Sequence, residues 1–476
     1  MLFNSFDYLI FLVIFTYGFY LTPFRHRWKV LLAGSLFFYG CWRADFLLLM
    51  LWATAVDYFA ALQMDAVTER KKKAIFLGLS LCSNLGLLFF FKYFNFFRQS
   101  LMSGLGFFGA SYTASTWNIV LPVGISFYTF QSLSYTIDVY RGRRVAEKHL
   151  GLFATFIAFF PQLVAGPIER SEHLLPQLKS PTSFSYKRNI EGLRLILWGL
   201  FKKVVVADRL SYFVNQVYNN PSQWNGLEIL VATYFFAFQI FCDFSGYSDI
   251  AVGSARLLGY DIMLNFRQPY FSTSVSEFWT RWHISLSSWF RDYTYISLGG
   301  NRISIPRTYV NIFVTFLISG LWHGANWTFV FWGTLNGILV VLESALKRVK
   351  CVPRALSRLG SKGKYLRMVI TFHLICLTWV FFRADHISDG FFLIKKMLFD
   401  FHPTISNFIH LNPIDFVIAT LSVFILQVFS IFDEREVLQF QMDKWPTWQR
   451  WLSYYVLVSA IVYFGVSGEQ FIYFQF

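Results

Sequence analysis

Apolar runs of roughly 15 to 25 residues alternate along the chain with short polar segments, the length scale of helices crossing a hydrocarbon core about 30 Å thick. Phe6 to Leu21 is the first run. Its N-terminal flank lacks Lys or Arg and no small-residue cleavage site follows, so it reads as a span and not as a cleavable signal. Lys29 to Cys41 and Phe46 to Leu62 form a pair hinged at Trp42-Arg43-Ala44-Asp45; Ala74 to Phe97 crosses next and Asn118 to Ile137 returns. Asn189 to Tyr218 and Leu227 to Ile250 run out and back around NNPSQWNG, and Thr308 to Gly320 with Ala325 to Ala345 make another pair. Met368 to Phe382, Pro413 to Phe432 and Trp451 to Gly465 bring the expectation to about twelve full or partial crossings. Leu150 to Val164 differs, because it has basic residues on both sides and runs into PQLVAGPIER. Pro161, Gly166 and Pro167 break its helix, which is tolerable at membrane depth only where backbone lines a protein cavity, so this stretch reads as re-entrant. Ala255 to Arg307 has no plain span and lies on the cytoplasmic side or dips in from it. The pattern predicts an all-α polytopic membrane protein, one membrane domain over residues 1–476, with no internal repeat.

Composition agrees: 55% of the 476 residues are apolar and only 14% charged, against about 25% charged in soluble chains. The net charge of +15 could suggest a nucleic-acid partner, but the basic residues sit in clusters between apolar runs, as cytoplasmic loops beside anionic lipid do. Nucleic acid is excluded on that pattern; the clusters Arg25-His26-Arg27-Lys29 and Arg70-Lys71-Lys72-Lys73 place the N-terminus outside, and the succession of crossings puts the C-terminus outside as well. Five scattered cysteines without a CxxC pair imply neither a disulfide framework nor a zinc site. GxSxG, HExxH, P-loop and dinucleotide fingerprints are absent, which removes the usual support for hydrolase, ATPase and redox functions.

The candidate chemistry lies in two histidines. His323 is the only ionisable side chain in Asn311 to Gly337, with Trp322, Trp327 and Trp332 nearby. The 13-residue run Thr308 to Gly320, as a helix, reaches roughly 20 Å and would deliver His323 into the membrane interior. An ionisable group there is a functional-site hypothesis, and a buried neutral histidine bonded to a carbonyl is the structural alternative. In Ser274 to Tyr295, Trp279, Trp282, His283, Leu286, Trp289 and Phe290 recur at three- and four-residue spacings, predicting one aromatic helix face. Glu277 precedes Arg281 by four and Ser288 precedes Asp292 by four, predicting polar pairs on the other side. His283 with His323 could act as base and orienting group; the alternative is an interfacial amphipathic helix with an incidental histidine. Asp243, Asp249 and Asp292 read as structural polar contacts with nearby Ser, Tyr or Arg.

Six segments in order resemble the membrane-bound O-acyltransferase superfamily, in particular its bacterial branch that acetylates alginate, peptidoglycan or cellulose. They are FYTFQSLSYTIDVYRG (Phe127 to Gly142), FPQLVAGPIER (Phe160 to Arg170), FCDFSGYSDIAVG (Phe241 to Gly253), Asn265 to Arg302, LWHGANWTFVFWG (Leu321 to Gly333) and FIYFQF (Phe471 to Phe476). The resemblance implies a ring of about 11–12 transmembrane helices plus re-entrant helices around a central funnel, with a catalytic core at about residues 120–345. It implies that His323 is the family's histidine required for acyl transfer and His283 its second histidine. Trp322, Asn326, Trp327, Arg281, Trp282, Asp292, Arg291 and Arg302 are candidate substrate contacts. It further implies acetyl-coenzyme A as donor substrate with no bound cofactor or metal, a bacterial inner-membrane location, and a separate extracytoplasmic SGNH-type transferase acting on a polysaccharide. His323 would act as general base or carry a covalent acetyl group; the sequence leaves both open. A flippase with a histidine proton relay, a scaffold for the external enzyme, and D-alanyl transfer from a carrier protein are the competing readings.

Overall fold

The computed structural model describes the chain except residues 108–116, 165, 349–359, 433–441, 467–470 and 473–476. Among the described residues regular structure is helical, without strands. The chain divides into two compact units, Met1–Gly192 with Ser254–Met263, and Leu193–Gly253 with Leu264–Phe476.

The first unit opens with α1 (Phe6–Leu21), whose start is fixed by Ser5 accepting from the Tyr8 amide. α2 (Phe24–Gly40) follows Pro23, and a tight turn at Ala44–Phe46, overlapping the end of the predicted hinge, leads into α3 (Leu47–Ala66). α4 (Arg70–Leu88) passes through a π-turn at Phe89–Tyr93 into α5 (Phe94–Phe107). The predicted crossing Asn118 to Ile137 is helical only from Ile125, as α6 (Ile125–Tyr140), because Gly124 turns left-handed at φ 77°. A side chain on Gly124 would also strike the Leu163 carbonyl, so this close approach requires glycine. The stretch expected to be broken is broken: α7 (Leu150–Ala158) and α8 (Phe160–Leu163) part at Phe159, and nine residues reach only about 14 Å. The freed carbonyl of Phe156 accepts from the amides of Gln131 and Gln162, each at 2.7 Å, which restores the hydrogen bonding an interrupted helix loses. Phe160 then packs against Phe11, Phe15 and Phe38 at 5.3–5.6 Å. α9 (Ser171–Lys179) was not foreseen as an element.

α10 (Tyr186–Leu200), a π stretch at Phe201–Ala207 and α11 (Asp208–Asn219) fill the predicted run Asn189 to Tyr218. α12 (Gly226–Leu257), 32 residues long, belongs to the second unit as far as Gly253. The stretch Ser274 to Tyr295 is not one helix, as its periodicity suggested. It is α13 (Val275–Arg281), a break at Trp282-His283, α14 (Ile284–Trp289) and a π-turn at Phe290–Tyr295. α15 (Ile305–His323) and α16 (Trp327–Arg348) form the next pair, then α17 (Gly360–Arg383), α18 (Ile387–Phe399), α19 (Ser406–Leu411), α20 (Pro413–Phe432) and α21 (Thr447–Phe464).

Among the described residues six helical segments are long and apolar enough to cross a membrane; the about twelve full or partial crossings expected include further runs that are short, charged or interrupted. Outward-facing Val13, Ile14 and Tyr17 on α1 and Ile414, Phe424 and Ile431 on α20 are exposed. In a protein whose solvent is lipid these faces need no protein cover. The molecule is an all-α, multi-pass membrane protein.

Candidate active site

α15 and α16 position His323. α15 starts at Ile305 after Ser304, with Pro306 in its first turn, so it is 19 residues long and not the 13 read from the apolar run. At about 28 Å such a helix nearly matches a hydrocarbon core, so His323 is not buried because its run is short. Its burial comes from neighbours. His323 is the last residue of the helix: Gly324 is extended, and Asn326 starts the next helix by accepting from the Thr328 amide at 3.0 Å. Across this turn the two helices pack antiparallel with glycine against glycine. A Cβ on Gly333 would lie 2.9 Å from the Gly320 Cα, and one on Gly337 3.2 Å from the Phe316 Cβ. Small residues at these points let the backbones close up, as membrane helices packed through small-residue seams do.

His323 is 4% exposed. Its ring centre lies 5.1 Å from Trp322, 5.0 Å from Trp332 and 5.6 Å from Phe382, each ring steeply inclined to it. Trp332 stacks on Trp379 at 5.8 Å, and Trp379 lies 5.1 Å from Trp282. Three helices and the break at Trp282 therefore supply one aromatic wall.

His283 closes another side of that wall. It occupies the left-handed region at φ 45°, a conformation uncommon outside glycine that breaks the helix between α13 and α14. Asn265 holds the break from across: its carbonyl accepts from the Ile284 amide at 2.9 Å, and its side-chain oxygen accepts from the Ser285 hydroxyl at 2.7 Å. The buried His283 ring packs on Phe244 at 4.6 Å and lies 6.1 Å from Trp322. Trp322 is thus the common neighbour of both histidines. Burial pushes the His283 imidazole down to about 3, which keeps it neutral at physiological pH.

The other candidates divide. Trp322 and Trp282 are part of the buried wall, whereas Trp327 is 55% exposed and stands outside it. Asn326 caps α16 and donates to the Asp385 carbonyl at 3.2 Å. Arg281 pairs with Glu277 at 2.6 Å as its spacing predicted, but Ser288 donates to the Ser285 carbonyl and not to Asp292, because the chain between them winds as a π-turn. Asp292 pairs with Arg291 at 2.9 Å on the surface, and Arg302 is exposed. Asp243 and Asp249 are structural, but their partners are lysines: Lys203 lies 2.7 Å from both Asp208 and Asp243, and Lys202 lies 2.6 Å from Asp249. The lysine pair, Trp379, Phe382 and Asn265 were not singled out from the sequence. Only the unusual KK inside an apolar run, and the aromatic density of LTWVFFRA, signalled them. Among the described residues no group of three or more His, Cys, Asp or Glu could hold a metal ion.

The model of the membrane-bound O-acyltransferase family matches residues 144–382, a region that includes both histidines, Trp379 and Phe382. The chain is 42% identical to the probable alginate O-acetylase AlgI of Pseudomonas aeruginosa, over 83% of this chain and 75% of that protein. It is 30% identical to the peptidoglycan O-acetyltransferase of Helicobacter pylori, over 95% and 92% respectively. Teichoic acid D-alanyltransferase of Bacillus subtilis is 28% identical, over 56% of this chain and 70% of its own length. A multi-pass helical protein with relatives of this kind is a membrane enzyme of O-acyl transfer. The chain belongs to the membrane-bound O-acyltransferase family.

Proposed function

We propose that this protein takes acetyl groups from cytoplasmic acetyl-coenzyme A and passes them across the bacterial inner membrane for O-acetylation of an extracytoplasmic polysaccharide, through a partner transferase. The observation that carries the reading is His323 at the end of α15, buried in an aromatic wall that it shares through Trp322 with the neutral His283. The Nε2 or Nδ1 lone pair of a neutral His323 accepts the proton of an acceptor hydroxyl as its oxygen attacks the thioester carbonyl. The carbon–sulfur bond breaks, and the proton leaves with the coenzyme A thiol. Trp322, Trp332 and Phe382 exclude water, which would otherwise compete for the acetyl group. Exposed Arg291 and Arg302 are the proposed first contacts for the donor's phosphates. The acetylating relatives align over more of the chain, at higher identity, than the D-alanylating one, which favours acetyl as the group transferred.

The test offers purified protein in nanodiscs two donors in parallel, radiolabelled acetyl-coenzyme A and a D-alanyl carrier thioester, with the external partner and polysaccharide supplied. Label appearing on polysaccharide only from acetyl-coenzyme A is the expected result. Transfer from the carrier thioester alone would replace this reading with D-alanyl transfer.

A further inference from the structure

The first unit holds an acidic side chain at membrane depth that the acyl-transfer site does not use. Asp57 lies in α3, inside a segment long and apolar enough to span, and is fully buried. Two pairs of polar residues, each one helical turn apart, converge on it: Ser80 and Asn84 from α4, Ser132 and Thr136 from α6. All four are at most 1% exposed. The Ser80 hydroxyl donates to Asp57 at 2.5 Å, the Asn84 amide donates to its two oxygens at 2.9 and 2.8 Å, and the Ser132 hydroxyl donates to the second oxygen. Ser80 also lies 3.1 Å from the Thr136 hydroxyl. Among the described residues no Lys, Arg or His forms an ion pair with Asp57.

A carboxylate in such surroundings is costly without a compensating positive charge, and an intramembrane acid with a built polar shell points to a bound ligand. The shell identifies that ligand's class. It offers two carboxylate oxygens and three hydroxyls, and exchanging the two ends of the Asn84 amide, whose nitrogen now faces Asp57, would add the Asn84 Oδ1, which is buried and accepts no hydrogen bond. A buried acceptor left over in an otherwise satisfied cluster calls for an explanation such as an ion. All the donor atoms are hard oxygens, which suits alkali or alkaline-earth ions and not soft transition metals. One carboxylate balances one positive charge, whereas calcium sites recruit several carboxylates and magnesium keeps several waters. Hydroxyl groups rotate freely, so the three that now donate or accept within the cluster can turn their lone pairs to a cation.

We infer that Asp57, Ser80, Asn84, Ser132 and Thr136 form an intramembrane binding site for a small monovalent cation, sodium or one of similar size. The cation ties α3, α4 and α6 together and replaces the missing counter-charge. The test is thermal unfolding of the full chain in nanodiscs, in sodium chloride against choline chloride at equal ionic strength. Sodium raises the wild-type midpoint by roughly 2–4 °C and leaves Asp57→Asn unmoved. Should Asp57→Asn fail to fold, Ser132→Ala weakens the site while keeping the carboxylate, and its midpoint responds only at higher sodium concentration. Radiolabelled sodium binding at one ion per wild-type chain gives a second readout. A wild-type midpoint indifferent to sodium, or an equal shift in the Asp57→Asn and Ser132→Ala variants, overturns the proposal.

Discussion

Asp243 and Phe244 are neighbours on α12, yet they serve two regions governed by different physics. Asp243 faces a clasp in which charge meets charge: Lys203 pairs with Asp208 and Asp243, and Asp243 also accepts the Ile472 amide at 2.7 Å. Phe244 faces the histidine wall, where the buried imidazoles of His283 and His323 are surrounded by rings. In the clasp one ammonium stands between two buried carboxylates, so attraction between opposite charges offsets part of the cost of burying them. In the wall, a dry aromatic shell favours the neutral form of a titratable ring, and neutral imidazole is the form that can take a proton. One helix thus separates a region that holds charge from a region that excludes it.

Breaking the clasp has the largest expected effect. Lys203→Met leaves Asp208 and Asp243 buried without their cation and costs about 3–5 kcal/mol; folded yield by gel filtration and a lowered melting temperature check this. A smaller loss follows from forcing apart the helices that aim His323. Gly333→Leu keeps both histidines in the sequence but displaces α15, which carries His323, from α16, and acyl transfer falls by about 100-fold in a folded protein.

The next effect is set by pH. The folded His283 is pushed down to about 3 by burial, whereas the unfolded ring titrates near 6.5. Between those values the unfolded chain binds a proton that the folded chain does not, so this contribution to stability is complete above about pH 6.5 and lost as pH falls towards 3. Melting temperatures of wild type and His283→Phe, compared from pH 7 to pH 5, show a flatter slope in the variant. The smallest effect concerns the rim. Arg291→Ala with Arg302→Ala raises the KM for acetyl-coenzyme A by roughly 3- to 10-fold at low salt with kcat unchanged, and the difference shrinks at high ionic strength.

The elements most legible in the sequence were those bounded by local signals. Phe6–Leu21 and Pro413–Phe432 have the ends that their apolar runs predicted, and the break before PQLVAGPIER follows from its prolines and glycine. The start of α15 was misplaced because Arg307 ended the apolar run, while Ser304 and Pro306 extend the helix beyond it. The burial of Trp282 and His283 was legible, but the break between α13 and α14 was not. Spacings of three and four persist across it, and the left-handed turn at His283 is imposed by Asn265, some twenty residues away. Long-range partnerships were the least legible: nothing local tells Lys203 that its carboxylates sit at 208 and 243, or brings Trp379 and Phe382 to His323. Periodicity reports which face is buried, and only the packed chain reports against what.

If the aromatic wall holds His323 as the base for acyl transfer, removing the imidazole removes the chemistry and leaves the fold. Transfer from radiolabelled acetyl-coenzyme A is therefore measured for purified wild type beside His323→Ala, both shown to be folded by gel filtration and melting. A loss of about 100- to 10,000-fold in the variant, with melting temperature unchanged, is the predicted result. A folded His323→Ala protein that transfers acetyl at the wild-type rate would contradict it.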